Sequence, residues 1–160
     1  MFMRSIMFAS ALSIVSFGNV AQAAEIPALG DVEGLVVETL WTNYALRLTQ
    51  GNFVDCVDNA AGSANCAVEG GVLRLDNGSQ SRILPVTRVS HLVSRWSDDN
   101  VSVMYVFRAN WQQDINGFSV DTPVVLVINH PEGQPDQITG YIKAGDLNVS
   151  HQVLMKRVAR

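Results

Sequence analysis

Hydrophobic and polar residues divide the chain into an N-terminal part with helical spacing and a longer part with strand spacing. Over Asp31–Gly51, DVEGLVVETLWTNYALRLTQG, the residues Val36, Val37, Leu40, Trp41, Tyr44, Ala45 and Leu48 recur every three or four positions, as one face of a helix requires. Glu38, Thr39, Thr42, Asn43, Thr49 and Gln50 gather opposite them. Asp31 suits an N-cap and Gly51 a left-handed residue at the C-terminal end. The pattern predicts one long amphipathic helix, with Leu35 and Leu46 packing on a second side. Asn52 then caps a shorter helix, FVDCVDNAA, with Phe53, Cys56, Val57 and Ala60 on one face.

Beyond Gly62 the spacing changes to alternation. Val68–Leu75 reads as a strand broken by Gly70-Gly71, and Asp76-Asn77-Gly78 is a tight-turn signal. Ile83–Trp96 fits both periods, but its β-branched content and Pro85 favour a strand. Ser97-Asp98-Asp99-Asn100 reads as a turn. Val101–Trp111 is the clearest strand: Val101, Val103, Tyr105, Phe107, Ala109 and Trp111 share one face, as a period of two demands. Asn116-Gly117 is the next turn. Val120–Ile128 is apolar on both faces, as a covered central strand would be. Asn129–Asp136 is a loop with two prolines and a glycine, Gln137–Ala144 a further strand, and the residues after Gly145 a tail. A sheet with one long helix beside it must bury that helix's apolar stripe, so the expected fold class is α+β, with N-terminal helices packed on a curved antiparallel sheet.

The first 23 residues have the layout of a secretory signal peptide. Arg4 gives a positive start, Ile6–Gly18 is an apolar run short for a bilayer, and Ala21-Gln22-Ala23 is a small-x-small cleavage site. The expected mature chain is residues 24–160, one domain with a short C-terminal tail, in the periplasm or outside the cell. Removing 23 of the 160 residues leaves 137, enough for a sizeable core. Loss of Arg4 leaves 10 basic against 15 acidic residues, a net charge of −5. No basic cluster precedes the last five residues, so nucleic acid is not an expected partner. No later run has the length and apolarity of a membrane span. Cys56 and Cys66 are the two cysteines, and in an exported chain they read as a structural disulfide. The bridge would close a loop of about 11 residues, worth roughly 2.5–3 kcal/mol. Two free thiols or a redox site is the alternative, although the spacing is not C-x-x-C.

Three segments resemble the NTF2-like superfamily, in particular its ketosteroid isomerase and SnoaL-like branch. VEGLVVETLWTNYALRLTQGNFVDCV is similar to the family's two helices and the break between them. PVTRVSHLVSRWSDDNVSVMYVFRANW is similar to its paired long strands, and FSVDTPVVLVINHPEGQPDQITGY to its closing hairpin. The resemblance implies a cone-shaped sheet around the long helix, an apolar pocket between them, and pairing of two copies through their sheets. It also implies a catalytic set. Tyr44, seven residues before Gly51, matches the tyrosine that donates to a developing enolate. Glu69 is the nearest carboxylate to the family's base. Asp121 lies two residues before the position of its protonated acid. The segment between Gly71 and Pro85 is too short for the family's third helix, which puts a closed catalytic pocket in doubt.

Proton transfer next to a carbonyl needs a base and donors aimed at the oxyanion, and Tyr44, Glu69 and Asp121 are the candidates for those roles. Each also has an ordinary reading: a core tyrosine with a local partner, an exposed loop acid beside Gly70-Gly71, and an acid at a strand start. His91, His130 and His151 are far apart in sequence and form no zinc motif. There is no G-x-S-x-G elbow and no phosphate-cradling glycine loop. No metal or cofactor is expected. The leading expectation is an exported protein that binds an apolar small molecule in a pocket. The alternatives are an isomerase or dehydratase acting on an apolar carbonyl compound, and an envelope interaction module or inhibitor.

Overall fold

A computed structural model of the chain describes residues 25–37, 43–60, 62–145 and 151–159. The segment read as a signal peptide and the stretch 38–42, which includes Trp41, lie outside the described residues. The architecture is all-β, with nine antiparallel strands and no helix among the described residues. They are β1 (Val32–Val37), β2 (Asn43–Thr49), β3 (Asn52–Ala60), β4 (Ser63–Asp76), β5 (Ser81–Ser97), β6 (Asn100–Ile115), β7 (Phe118–Pro131), β8 (Thr139–Ala144) and β9 (His151–Arg157). The order across the sheet is β2-β1-β9-β8-β7-β6-β5-β4-β3, and β2 also pairs with β4. That pairing closes eight strands into a barrel and leaves β3 as an added strand.

The α+β expectation is therefore corrected. The stretch read as one long helix forms β1 and β2, which pair from Val32 with Leu48 to Val37 with Asn43. The segment read as a second helix is β3, and the stretch read as a tail contains β9. The helices-on-sheet layout behind the NTF2-like resemblance is not this fold. The physical reason lies in β2. Leu46 and Leu48 are buried while Ala45, Arg47 and Thr49 are exposed, a period of two. Tyr44, Ala45 and Leu48 also fit a helical period, so the same residues satisfied both templates. Burial inside a closed barrel selects the strand reading.

The closing ladder runs from Ala45 with Asp76 to Thr49 with Val72. The pairing of β3 with β4 starts at Asn52 with Glu69 and continues through Val54 with Ala67. Both ladders have the same register, so β2 and β3 form one strand against β4, interrupted at Gln50-Gly51 opposite Gly70-Gly71. Only the first half of that strand also pairs with β1. Gly51 has φ +74, and a Cβ there would lie 2.5 Å from both the Glu69 carbonyl oxygen and the Gly71 nitrogen. No other residue fits so close a backbone approach at positive φ. A disulfide joins Cys56 of β3 to Cys66 of β4 with 4.1 Å between their Cα atoms, so the added strand is covalently fastened to the barrel wall.

Side chains fill the middle of the barrel, which eight strands make just wide enough for them. Leu48, Leu73, Val89, Phe107, Leu126 and Ile128 have at most 1% of their surface exposed. The face expected of the Val101–Trp111 strand is the inward one. Gly34 and Gly140 also lie along the wall, and a Cβ on either would collide with the Met155 side chain.

The glycine at the interruption gives a direct test of closure. Gly51→Ala is expected to lower stability by about 2–4 kcal/mol, combining overpacking with left-handed backbone strain. Gly70→Ala has φ +70 but open space around its Cβ, so only the strain of about 1–2 kcal/mol is expected. Urea denaturation of the two variants measures the difference.

Candidate functional site

The two ends of the barrel differ. One is plugged by the leader that precedes β1. Ile26 and Leu29 are buried there. The Gly30 N–H donates to Gln50 Oε1 at 2.7 Å, and the Gln50 N–H donates to Asp31 Oδ1 at 3.1 Å. The Tyr105 hydroxyl donates to the Pro27 carbonyl at 2.9 Å. Under this plug the Tyr105 ring centroid lies 4.9 Å from that of His91 and 6.0 Å from that of His130. His130 Nδ1 is 2.8 Å from the Pro131 carbonyl oxygen. Nε2 of His91 is buried with no hydrogen-bond partner among the described residues. Burial, and then the charge of His130, hold the His91 imidazole below its ordinary pKa of 6.5. Burial pushes the Tyr105 hydroxyl up, with Arg157 opposing.

Among the described residues the other end is open. A cavity of about 190 Å³ lies inside it. Cross-strand neighbours supply much of its wall: Val36 with Tyr44, Leu75 with Arg82, Val124 with Ala144, and Ile142 with His151. Leu84 and Trp111 complete the lining. Val36, Leu84, Val124 and Ile142 are buried and apolar, while Tyr44, Arg82, Trp111 and His151 are half-buried. Arg82 points inward because it shares the side of β5 that carries Leu84 and Val86. Its guanidinium carbon lies 3.8 Å from the Trp111 ring centroid, a cation–π contact worth about 0.5–1 kcal/mol near a surface.

Beside the cavity β6 and β7 extend past their neighbours. The β5–β6 ladder ends at Val86 with Ala109 and the β7–β8 ladder at Val124 with Ala144. From Asn110 with Pro123 to Ile115 with Phe118 the two strands pair only with each other. Trp111, Ile115, Phe118 and Val120 fall on the side of this hairpin continuous with the barrel interior. Gln112, Asp114, Ser119 and Asp121 fall on its outer side.

The sequence-predicted residues are not brought together. Tyr44 lines the cavity. Asp121 is exposed, paired with Gln112 on the outer side of the hairpin. Glu69 is exposed at the start of the β3–β4 ladder. Tyr44 is level with the Asp76 end of β4, seven residues from Glu69, or roughly 20 Å along a strand. Arg82 and His151 were not singled out for the site by sequence reasoning. The signal for Arg82 was its alternation with Leu84 and Val86 across Ile83 and Pro85, which places a guanidinium on an apolar face.

A larger depression, about 580 Å³, lies on the outer wall over β1, β2, β4 and β9. It is a shallow surface bearing Glu33, Arg47, Arg74 and Asp76, and Glu33 there pairs with Lys156 at 3.0 Å. The smaller cavity is the better candidate, because it is concave and apolar with few polar groups and sits in a barrel mouth. No group of three or more His, Cys, Asp or Glu able to hold a metal occurs among the described residues. No family model, curated protein or solved structure matches the chain.

The plugged end generates a pH dependence. His91 is neutral when folded and its folded pKa is depressed, so the unfolded chain takes up the proton first as pH falls. Its contribution is complete above pH 6.5 and is lost as pH drops from there through the folded pKa. The melting temperature is expected to fall between pH 7 and pH 5. The fall should be shallower in His91→Phe, which keeps the ring contact with Tyr105; melting curves across that range measure both.

Proposed function

We propose that this protein is an exported barrel that binds a small apolar molecule in its open mouth without transforming it. The supporting observation is the cavity itself, with a buried aliphatic floor at one end of an otherwise filled barrel. An apolar cavity of about 150 Å³ is large enough for benzene, so a site of about 190 Å³ takes one ring or a short chain. Tyr44, Trp111 and His151 give its rim a few polar and aromatic groups to orient a ligand. The isomerase or dehydratase reading asks for a carboxylate base beside Tyr44, and no Asp or Glu lines this cavity among the described residues. The Cys56–Cys66 disulfide suits an oxidising compartment. Together with the signal-like N-terminus it supports a periplasmic or secreted location.

A second reading, an interaction module at the envelope, draws on the hairpin. Phe118 is 75% exposed and Ile115 50% exposed on its interior side, a small apolar surface beside the mouth.

Uncharged one-ring compounds such as phenol and toluene are expected to raise the melting temperature of the wild-type protein, by mass action on the folded state. Ala144→Phe, which places a ring in the cavity from a half-buried wall position, is expected to remove that shift while the protein still melts cooperatively. Differential scanning fluorimetry measures both. An unchanged shift in Ala144→Phe would place the binding elsewhere.

A further inference from the structure

We propose that the ligand of the mouth cavity is a compact apolar monocarboxylate, an aryl or short alkyl acid, and that Arg82 is the residue that reads its carboxylate. This rests on the pocket reading above and adds the chemistry of the head group.

Four observations converge on it. The first is where Arg82 sits. Arg82 is half-buried at the rim of an apolar cavity, on the inward side of β5, where a carboxylate entering the mouth would meet its guanidinium. The ion pairs found among the described residues are Glu33 with Lys156 and Asp136 with Arg157, and neither involves Arg82. Two carboxylates lie nearby without an ion pair to Arg82: Asp76 accepts the Gly78 N–H at 2.7 Å in its own turn, and Asp121 borders a depression on the outer side that Arg82 and Trp111 also line.

The second is orientation. The Arg82 guanidinium carbon lies 3.8 Å from the Trp111 ring centroid, and a guanidinium over an aromatic face keeps its N–H donors at the edge of its plane. A planar fork held in this way matches a carboxylate with two parallel hydrogen bonds.

The third is the charge of the lining. Arg82 is joined by Tyr44 and His151, a hydroxyl and an imidazole, and among the described residues by no acidic one. A single guanidinium suits a monoanion better than a phosphate dianion, whose second charge would be left unpaired next to Leu75 and Leu84.

The fourth is size. About 190 Å³ encloses one ring or a comparable chain and leaves the carboxylate at the rim, where Arg82 is. Atoms beyond that volume would lie along Trp111 and the interior side of the β6–β7 hairpin.

The test uses the mature, oxidised protein and calorimetric titration at low ionic strength and pH 7. The ligands are 3-phenylpropionate and its primary amide, which share shape and differ in charge. The acid is expected to bind wild type at least about tenfold more tightly than the amide, the scale of a hydrogen bond to a charged group. Arg82→Gln is expected to bring the acid to the level of the amide and to weaken the amide far less than the acid. Arg82→Lys, which keeps the charge without the fork, should fall between. Equal binding of acid and amide by wild type would overturn the head-group assignment and leave the pocket reading standing. Equal loss of both ligands in Arg82→Gln would also overturn it, because it would make Arg82 a support for the wall. If neither compound binds folded wild type, the pocket reading falls and the inference with it.

Discussion

Everything in this molecule depends on the ladder that β2 makes with β4, because that ladder turns an open sheet into a barrel. An open nine-stranded sheet would expose unpaired edges and both faces to water. Closure removes the edges over the barrel and gives the inward-facing residues a common interior. The ladder is possible because β2 and β3 lie in one register against β4. The chain between them bends at Gly51, tight against the backbone at Glu69 and Gly71. Downstream of the bend β3 leaves the barrel, so β2 can pair with β1 on its other side.

Closure also sets where chemistry is available. An eight-stranded barrel is just wide enough for its side chains to fill it. Leu48, Phe107 and Leu126 do so at mid-height, and the Ile26–Gly30 leader seals one end over Tyr105. Three polar groups at that end hold the plug: the Tyr105 hydroxyl, Gln50 and Asp31 all bond to or within the leader or its junction, while Nε2 of His91 beneath it has no hydrogen-bond partner among the described residues. At the other end the strands diverge past Ala109 and Val124. The interior widens around Trp111, and an inward arginine faces a floor of aliphatic side chains. One barrel thus carries a plugged end and, among the described residues, a concave apolar one.

Much of the strand content was legible in the sequence. The alternation of Val101 through Trp111 marks the inward face of β6, and Asp76-Asn77-Gly78 and Asn116-Gly117 mark real turns. The pair Cys56 and Cys66 gave the disulfide. The first two strands were not legible as strands. Val36, Tyr44, Ala45 and Leu48 are spaced for a helix as well as for a hairpin, and the deciding term is a β4 partner more than twenty residues away. A different cause hid β9, whose inward residues His151, Val153, Met155 and Arg157 are a mixed set with no clear apolar period. For the site, Tyr44 was found for a reason the fold does not share, as a helical donor. Glu69 and Asp121 were chosen by distance along the sequence, which says nothing about which side of a strand they take. Arg82 was readable only once β5 was known to have an interior face.

The most direct measurement is a crystal structure of the oxidised protein with 3-(4-bromophenyl)propionate, with bromine located by anomalous scattering. The expected result is bromine among Val36, Leu84, Val124 and Ile142, with the carboxylate at the Arg82 guanidinium. Bromine on the outer wall, or a mouth with the aliphatic floor closed over and no bromine inside, would contradict the assignment of this end of the barrel as the binding site.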